Sequence, residues 1–501
     1  MNNKREETSS TVHKNQEKNS DSEKNTNKIE KTSLKIKLAT FIRRISVEPA
    51  VFLYCIAMTF NGITTQSLTI RKYCLVQMEY PEDICLNLTN NKTLENQAQS
   101  EATNFLFYKT LLENLPTIIL AIFIGAWSDK NGRKFLLVFP TITSGIGMII
   151  MIFNAHYLTE MDFNYILLAS MPYALGGNIF IVLTGAFSYI TDITDKSNLI
   201  IRFGFLQAAI TCGMPIGTSC GSIVFSKYGY VTVYAVNLML YIITLLYILI
   251  FVKETILPPI DQTLKYTSLF KLTNVKEIVV TVCKQREHNG RFQIILLLIT
   301  AVISFMHLNV ELNVTYLFTR WEFEWDEITY TTYVAFKFAG SLLGLLLVLP
   351  LLTLRLQISD LVIGIASALC YVANETIIAV SDQGWILYAA TILTVGSGMI
   401  TTIIRTIMSK IVLPTEQGKL AAVIGAVGAA MPLIGSIMFT QVYNVTRITF
   451  SGAMYDTSAL LGLIPAICFG WIYVQQMNLY ESSRLVEYID PIFTLISIMF
   501  Q

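Results

Sequence analysis

The sequence has few charged residues and few of the side chains that build metal or redox centres. Asp, Glu, Lys and Arg make up 14% of the 501 residues, whereas hydrophobic residues make up 53%. Four histidines, and eight cysteines with no CxxC pair, give little basis for a zinc or redox site. A net charge of +1 gives no reason to expect a nucleic-acid partner. The composition predicts a protein whose solvent is lipid, with no metal and no cofactor.

Long apolar segments occur in two groups of six. A helix that crosses about 30 Å of hydrocarbon needs roughly 20 apolar residues, because each residue adds about 1.5 Å and every backbone polar group must be paired within the segment. The polar residues 253–290 separate the two groups. The segments lie near residues 50–70, 105–127, 135–155, 163–190, 203–224, 230–252, 291–318, 328–350, 358–380, 384–408, 419–442 and 456–476.

This pattern predicts an all-α integral membrane protein with twelve transmembrane helices in two six-helix bundles and a solute path between them. The polar first residues lack the apolar core of a signal peptide and are predicted to be disordered. The expected divisions are a cytoplasmic tail (1–48), the first bundle (49–252), a cytoplasmic linker (253–290), the second bundle (291–476) and a C-terminal tail (477–501).

Lysine and arginine indicate the orientation, because they are retained on the cytoplasmic side of a membrane. The tail before Pro49 is rich in both. Both termini are therefore predicted to be cytoplasmic, in a multi-pass protein of the plasma membrane or an endolysosomal membrane. Two sequons, at Asn87 and Asn91, then fall in the first outer loop, and we predict them as glycosylation sites.

The loop between the second and third segments carries a motif. From Gly125 to Lys134 it is Gly-Ala-Trp-Ser-Asp-Lys-Asn-Gly-Arg-Lys, which resembles the signature loop of the major facilitators, transporters with two six-helix bundles. Gly125 permits close helix approach, Gly132 suits a tight turn, and Asp129 can pair with a cation or cap a helix. The alternative is an ordinary cytoplasmic loop with a glycine turn.

Charged residues after the fourth segment extend this motif. Asp192 and Arg202 are expected to join Asp129 and Arg133 in an ionic latch that breaks when the two bundles rock. The alternative is that the two added charges are solvated in the loop. A latch would hold one face of the protein closed.

Further motifs narrow the resemblance. They are Val47-Glu-Pro-Ala-Val-Phe-Leu53, Thr64-Thr-Gln66, Ala186-Phe-Ser-Tyr-Ile-Thr-Asp192 and Thr415-Glu-Gln-Gly418. In combination they resemble the solute-carrier family that contains the proton-coupled folate transporter and the thymic stromal cotransporter. The resemblance runs from about residue 46 to 476 and implies secondary transport of a folate-like or other organic anion.

The resemblance also assigns roles to single positions. Gln66, His307 and Arg405 match residues that it implicates in proton and substrate binding. Two family carboxylates are replaced by the amides Asn178 and Gln207, which cannot titrate. Proton coupling in the family's manner and folate as the substrate therefore both stay open.

One outer-loop cysteine found in several relatives is also absent, because Glu324 occupies its position. Cys85 is left without that partner. A local disulfide between Cys74 and Cys85 is the alternative, although their spacing alone does not establish the geometry of such a bond.

Charged side chains inside the apolar segments indicate Arg405 and His307 independently of the family resemblance. A charge at the bilayer centre costs about 2.5 to 3.5 kcal/mol on insertion scales, so it is retained mainly beside a wet cavity or a partner. Arg405 either holds an anionic group of the solute in a two-pronged geometry or snorkels to the headgroups. His307 and Glu311 share a helix face, either as a proton-carrying pair or as a local polar contact.

These observations predict a secondary transporter of a small organic, anionic solute that works by alternating access, with protons as a candidate coupling ion. The alternative is a non-transporting receptor or scaffold that keeps the same fold. The segments contain no constellation of metal ligands or nucleophiles, so an enzyme is not expected. Oligomeric state is not indicated by the sequence.

Overall fold

The computed structural model describes residues 46–86, 92–256, 269–309, 315–325, 327–446 and 449–499. Almost all of these residues are helical, and the helices are numbered here in chain order. They are α1 Glu48–Phe60, α2 Gly62–Lys72, α3 Glu82–Leu86, α4 Lys92–Asn131, α5 Phe135–His156, α6 Tyr165–Gly176, α7 Asn178–Ile193, α8 Leu199–Phe251, α9 Leu272–Cys283, α10 Gly290–Asn309, α11 Thr315–Phe323, α12 Glu327–Leu343, α13 Asp360–Ala379, α14 Gly384–Ser397, α15 Ile400–Ile411, α16 Gln417–Thr446 and α17 Ala453–Met499.

The described residues contain the predicted spans. Ten helical segments among them are long and apolar enough to cross a membrane. One of these, the 53-residue α8, holds two spans, because Gly229 interrupts it with a φ of 75°. The first predicted span is present as α1 and α2, which are separated at Asn61 and are too short to be counted singly. The prediction of an all-α, twelve-span membrane protein is confirmed.

Segments outside the spans also contain helices. Helix α9 lies within the predicted linker 253–290, and α17 continues to Met499, inside the predicted tail 477–501. Most of the predicted N-terminal tail, together with Asn87 and Asn91, lies outside the described residues. A disulfide joins Cys74 to Cys85, with a Cα to Cα distance of 5.8 Å.

Apolar packing builds a core in each half and also joins the halves. The first core is formed by α1, α5, α7 and α8. The second is formed by α10, α13, α15, α16 and α17, and Ile200, Ile201 and Ala208 of α8 pack into it. The start of α8 therefore belongs to the contact between the two halves.

Small residues bring α16 of the second half against α4 and α7 of the first. A Cβ atom on Gly125 would lie 2.2 Å from the Cβ of Ala422 and 2.6 Å from the carbonyl oxygen of Gly418. A Cβ atom on Gly425 would lie 2.5 Å from Oγ1 of Thr184. In lipid, where apolar burial does not drive helices together, such close backbone approach is a main source of helix association.

This contact lies at the end of the molecule that bears Gly125 to Lys134, which we call the signature-loop face. The opposite end, which bears the Cys74–Cys85 bond, is called the disulfide face.

We expect Gly125→Ala to lower the apparent melting temperature of the purified protein by a few degrees. The added methyl group must push α4 away from α16, and overpacking of this kind typically costs about 1–3 kcal/mol. Thermal unfolding in detergent measures the effect. Gly62→Ala is the matched control, because a Cβ atom on Gly62 has nothing within 4 Å. Equal melting temperatures for the two variants would contradict a tight contact at Gly125.

Candidate functional site: an ionic latch and a buried cation between the halves

Arg133 is the centre of the latch. Its side chain is almost fully buried, with Nη2 2.6 Å from Oδ1 of Asp129 and Nε 3.0 Å from Oδ2 of Asp192. Burial alone would lower the pKa of Arg133, but the carboxylates of Asp129 and Asp192 outweigh it and raise the pKa. Gly132 forms the turn beside it with a φ of 114°. The carboxylate of Glu254 accepts a hydrogen bond from the backbone N–H of Arg133 at 2.7 Å.

Asp129 extends the latch into the second half. Its two oxygens accept hydrogen bonds from the backbone N–H groups of Gly418 (2.8 Å) and Lys419 (3.1 Å). Those groups belong to the first turn of α16, where N–H groups have no partner within the helix and where the helix dipole favours negative charge. The carboxylate is thus bound by a cation of its own half and by a helix terminus of the other.

Arg202 lies outside this latch, so the expectation that it would join was wrong. Its guanidinium is 2.7 Å from Oε1 of Glu48, and both side chains are buried. The other oxygen of Glu48 accepts hydrogen bonds from the backbone N–H groups of Ser46 and Val47. Helix α8 begins at Leu199, and this places Arg202 on the side that packs against α1, away from Arg133.

Helix α9 contributes a second group of ion pairs at the signature-loop face, and these pairs connect the two halves. Glu277 lies 2.5 Å from Nζ of Lys130 in the first half and 3.1 Å from Nζ of Lys419 in the second. Burial opposes ionisation of Glu277, but hydrogen bonds from Lys130 and Lys419 outweigh it and lower its pKa. Next to it, Glu416 pairs with Lys284 and Arg286, each at 3.0 Å. Helix α9 therefore ties the linker to both halves.

Arg405 lies deeper in the molecule than the latch, at the contact between the two halves. It is 6% exposed, and its Cζ atom is 4.0 Å from the ring centroid of Phe187 in the first half. Because it faces the other half, Arg405 does not snorkel to the headgroups. Within the described residues its guanidinium has no carboxylate within 4 Å and no hydrogen bond. The small cavity around it is lined by Phe187, Ser188, Thr191 and Phe203 from the first half and by Arg405, Ser409, Gln417, Leu420, Ala421 and Ile424 from the second.

The polar residues of the first span separate into two sets. Thr65 and Ser67 hydrogen-bond the hydroxyl groups of Tyr234 (3.2 Å) and Tyr230 (2.9 Å), so they serve helix packing. Gln66 is exposed on the opposite face of α2. The structure thus gives a packing role to part of this polar stretch and leaves Gln66 exposed on the surface of α2.

The two amide positions have different surroundings. Asn178 is buried at the break between α6 and α7, with a φ of 43°, and its Oδ1 accepts a hydrogen bond from the N–H of Phe180 at 3.0 Å. Its side chain thus pairs a backbone N–H in the first turn of α7, which is a structural role that the sequence did not indicate. Gln207 is half-buried on α8, one turn after Gly204, whose Cβ would lie 2.8 Å from Leu349 of the second half. It therefore faces the contact between the halves.

His307 belongs to a separate cluster in the second half. Its Nδ1 lies 2.8 Å from Oγ of Ser458 and also contacts the hydroxyl of Tyr371. Its Nε2 lies 3.9 Å from Oε1 of Glu375, whose side chain has no exposed surface. Glu311, the partner expected from the sequence, lies outside the described residues.

Glu375 was missed by sequence reasoning, although a signal was present. It is an acidic residue within the apolar segment 358–380, and an ionisable residue inside a membrane span is by default a candidate for function. The structure does not bring this cluster together with Arg405. Arg405 lies near the signature-loop face. His307 lies two residues before Asn309, at the end of α10 that is farther from that face.

A membrane protein that closes one face with charges from both halves can expose its centre to one side at a time, which is the property of an alternating-access transporter. Sequence comparison agrees with this class. The family model described as Major Facilitator Superfamily matches residues 110–436, and the chain belongs to that superfamily.

Curated relatives match most of the chain. A probable peptidoglycan muropeptide transporter SLC46 of Drosophila melanogaster is 24% identical, over 89% of this chain and 88% of its own. The lysosomal proton-coupled steroid conjugate and bile acid symporter SLC46A3 of Gallus gallus is 26% identical, over 88% and 96%. The proton-coupled folate transporter of Bos taurus is 24% identical, over 85% and 91%. The resemblance inferred from the motifs is confirmed.

Solved structures have the same fold. The crystal structure of the human organic anion transporter MFSD10 matches with a TM-score of 0.61 and 13% identity, and the match covers 84% of this chain and 98% of that one.

Proposed function

We propose that this protein is a secondary active transporter that moves an organic anion between two membrane compartments by alternating access, with the anionic group of the solute bound by Arg405. The observation that carries the proposal is the position of Arg405. A buried guanidinium stands between the two halves with an aromatic ring beside it and no carboxylate within 4 Å among the described residues.

An anion is the ligand that this site favours. Removing a guanidinium from water is costly, and the cost is recovered by a charge-assisted, two-pronged contact with a carboxylate, sulfate or phosphate. The ring of Phe187 offers a weaker cation–π contact. Since Phe187 and Arg405 belong to different halves, opening the signature-loop face separates them and frees the guanidinium for a ligand.

The relatives indicate the kind of anion. Their names specify muropeptides, steroid conjugates, bile acids and folates, solutes that combine an acidic group with a bulky body. The cavity around Arg405 also has apolar side chains, among them Phe203, Leu420 and Ile424. These can pack against the body of such a solute, while Arg405 binds its acidic group. We place the signature-loop face, and with it both termini, in the cytoplasm, and the disulfide face outside the cell or in an endolysosomal lumen, where disulfides persist.

The proposal is tested by uptake into proteoliposomes. Radiolabelled folate, a bile acid, a steroid sulfate and a muropeptide are supplied at acidic and at neutral external pH. We expect saturable uptake of at least one of them above empty vesicles, with faster uptake at acidic pH. Saturable binding without flux would instead support a receptor or scaffold, and the absence of flux for every anion would contradict the proposal.

A further inference from the structure

Glu375 lies on α13 in the interior of the second half. Its carboxylate accepts a hydrogen bond from Nδ2 of Asn374 at 2.9 Å and lies 3.9 Å from Nε2 of His307. A fully buried carboxylate is costly to ionise unless a cation matches it. Within the described residues the cation next to Glu375 is a protonated His307, so the pair holds Glu375 either protonated beside a neutral imidazole or ionised beside a protonated one. In both forms the two side chains hold one proton between them.

The other edge of the imidazole is bound to two hydroxyl groups. Nδ1 of His307 contacts Ser458 and Tyr371, and these two hydroxyls also contact each other. A hydroxyl can donate or accept a hydrogen bond, so this edge stays bonded whether or not Nδ1 carries a proton. The cluster joins α10, α13 and α17, and a change in its charge acts on three helices at once.

Among the described residues, phenols are titratable neighbours of Glu375. Tyr455 of α17 is buried near Glu375, and Tyr333 and Tyr330 of α12 are also near Tyr455. Phenols are neutral at physiological pH. Asp456, the acidic residue next to Tyr455, is exposed. Of the described residues in this cluster, Glu375 and His307 are therefore the two that can take up a proton at mildly acidic pH.

We propose that Glu375 and His307 form the binding site for the transported proton, in which Glu375 supplies the carboxylate that Asn178 and Gln207 no longer provide. This proposal rests on the proposed function. A proton from the disulfide face takes the pair from one bound proton to two, and its net charge from zero to +1. The same proton leaves when the signature-loop face opens, which returns the pair to one proton. Each cycle moves one proton, and no other reactant is needed.

Transport measurements distinguish a proton-binding role of Glu375 from a structural one. Glu375→Gln keeps the size of the side chain and removes its titration. We expect it to lose the acid stimulation of net anion uptake, while exchange of the same anion between equal pH values is retained. Tyr371→Phe, which removes one hydroxyl, should shift the pH midpoint of uptake and keep its acid stimulation.

Asp456→Asn is the matched control, since it removes an exposed carboxylate from the same region and should keep the wild-type pH profile. Preserved acid stimulation in Glu375→Gln would overturn the proposal. Equal loss of uptake and exchange, together with a lowered melting temperature, would also overturn it, because Glu375 would then be structural.

Infrared spectroscopy of the purified protein tests the site without any anion. At acidic pH, the wild type should show a carboxylic-acid C=O stretching band that is missing in Glu375→Gln and present in Asp456→Asn. If that band is unchanged in Glu375→Gln, the proton site is wrong whether or not anions move. A wild-type protein that shows the band but transports none of the four anions would contradict the proposed function and leave the proton site standing.

Discussion

Arg405→Ala is expected to reduce anion uptake by at least about tenfold while leaving the amount of protein in the membrane unchanged. Hydrogen bonds to charged groups are each worth about 1.5–3 kcal/mol, and every 1.4 kcal/mol is about a factor of ten in affinity. Removing the guanidinium removes a two-pronged contact with the solute. Initial uptake rates over a range of anion concentrations measure the loss.

Two further variants make this result specific. Arg405→Lys keeps the positive charge but not the forked geometry, so it should retain only part of the uptake. Arg355→Ala removes an exposed arginine near the same face and should behave as wild type. Uptake by Arg405→Ala equal to that of Arg355→Ala would remove Arg405 from the binding site.

Asp129→Asn is expected to open the signature-loop face. The change removes the charge that pairs with Arg133 and weakens the contact with the N-terminus of α16. Breaking a buried ion pair by removing one partner typically costs about 3–5 kcal/mol, and here much of that cost falls on the closed state. The equilibrium should therefore move toward the conformation in which the cavity around Arg405 is open.

Thiol labelling measures this shift. Ser188 lines the cavity, and a Ser188→Cys probe is placed in a background in which the exposed Cys220 and Cys283 are serine. With Asp129→Asn, a membrane-impermeant reagent applied from the signature-loop face should label the probe at least about tenfold faster, corresponding to about 1.4 kcal/mol. Asp195→Asn, an exposed acid in the loop after α7, is the control. Equal labelling rates in the two variants would show that Asp129 does not hold the face closed.

The spans and the latch could be predicted because each depends on local sequence. Hydropathy over about 19 residues marks a span, and the order of residues from Gly125 to Lys134 sets the turn, the acid and the cation within one loop. Partners on other helices are less accessible to such reasoning. Hydropathy gives the depth of a residue in the membrane but not the direction in which it points around its helix.

Three residues illustrate that limit. Arg202 is close to Asp192 in sequence, yet α8 directs it toward Glu48 on α1. Asn178, which the family resemblance aligns with a carboxylate, follows the break at Gly177, and its side chain accepts a hydrogen bond from the backbone N–H of Phe180. Glu375 meets His307 through the packing of α13 against its neighbours, and these residues are 68 positions apart in the chain.

The ion pair between Lys410 and Asp360 sets the end of α15 and the start of α13 at the same depth in the membrane. Arg405 is five residues from Lys410 and Glu375 is fifteen from Asp360, so at about 1.5 Å per residue they lie at levels about 15 Å apart. In the proposed arrangement, an anionic group at Arg405 and a proton at Glu375 are therefore too far apart to neutralise each other directly. Proton binding in this arrangement is expected to act on the anion site through the displacement of whole helices. In a transporter with two such separate sites, substitutions around Arg405 can change which anion is transported while the proton site stays the same.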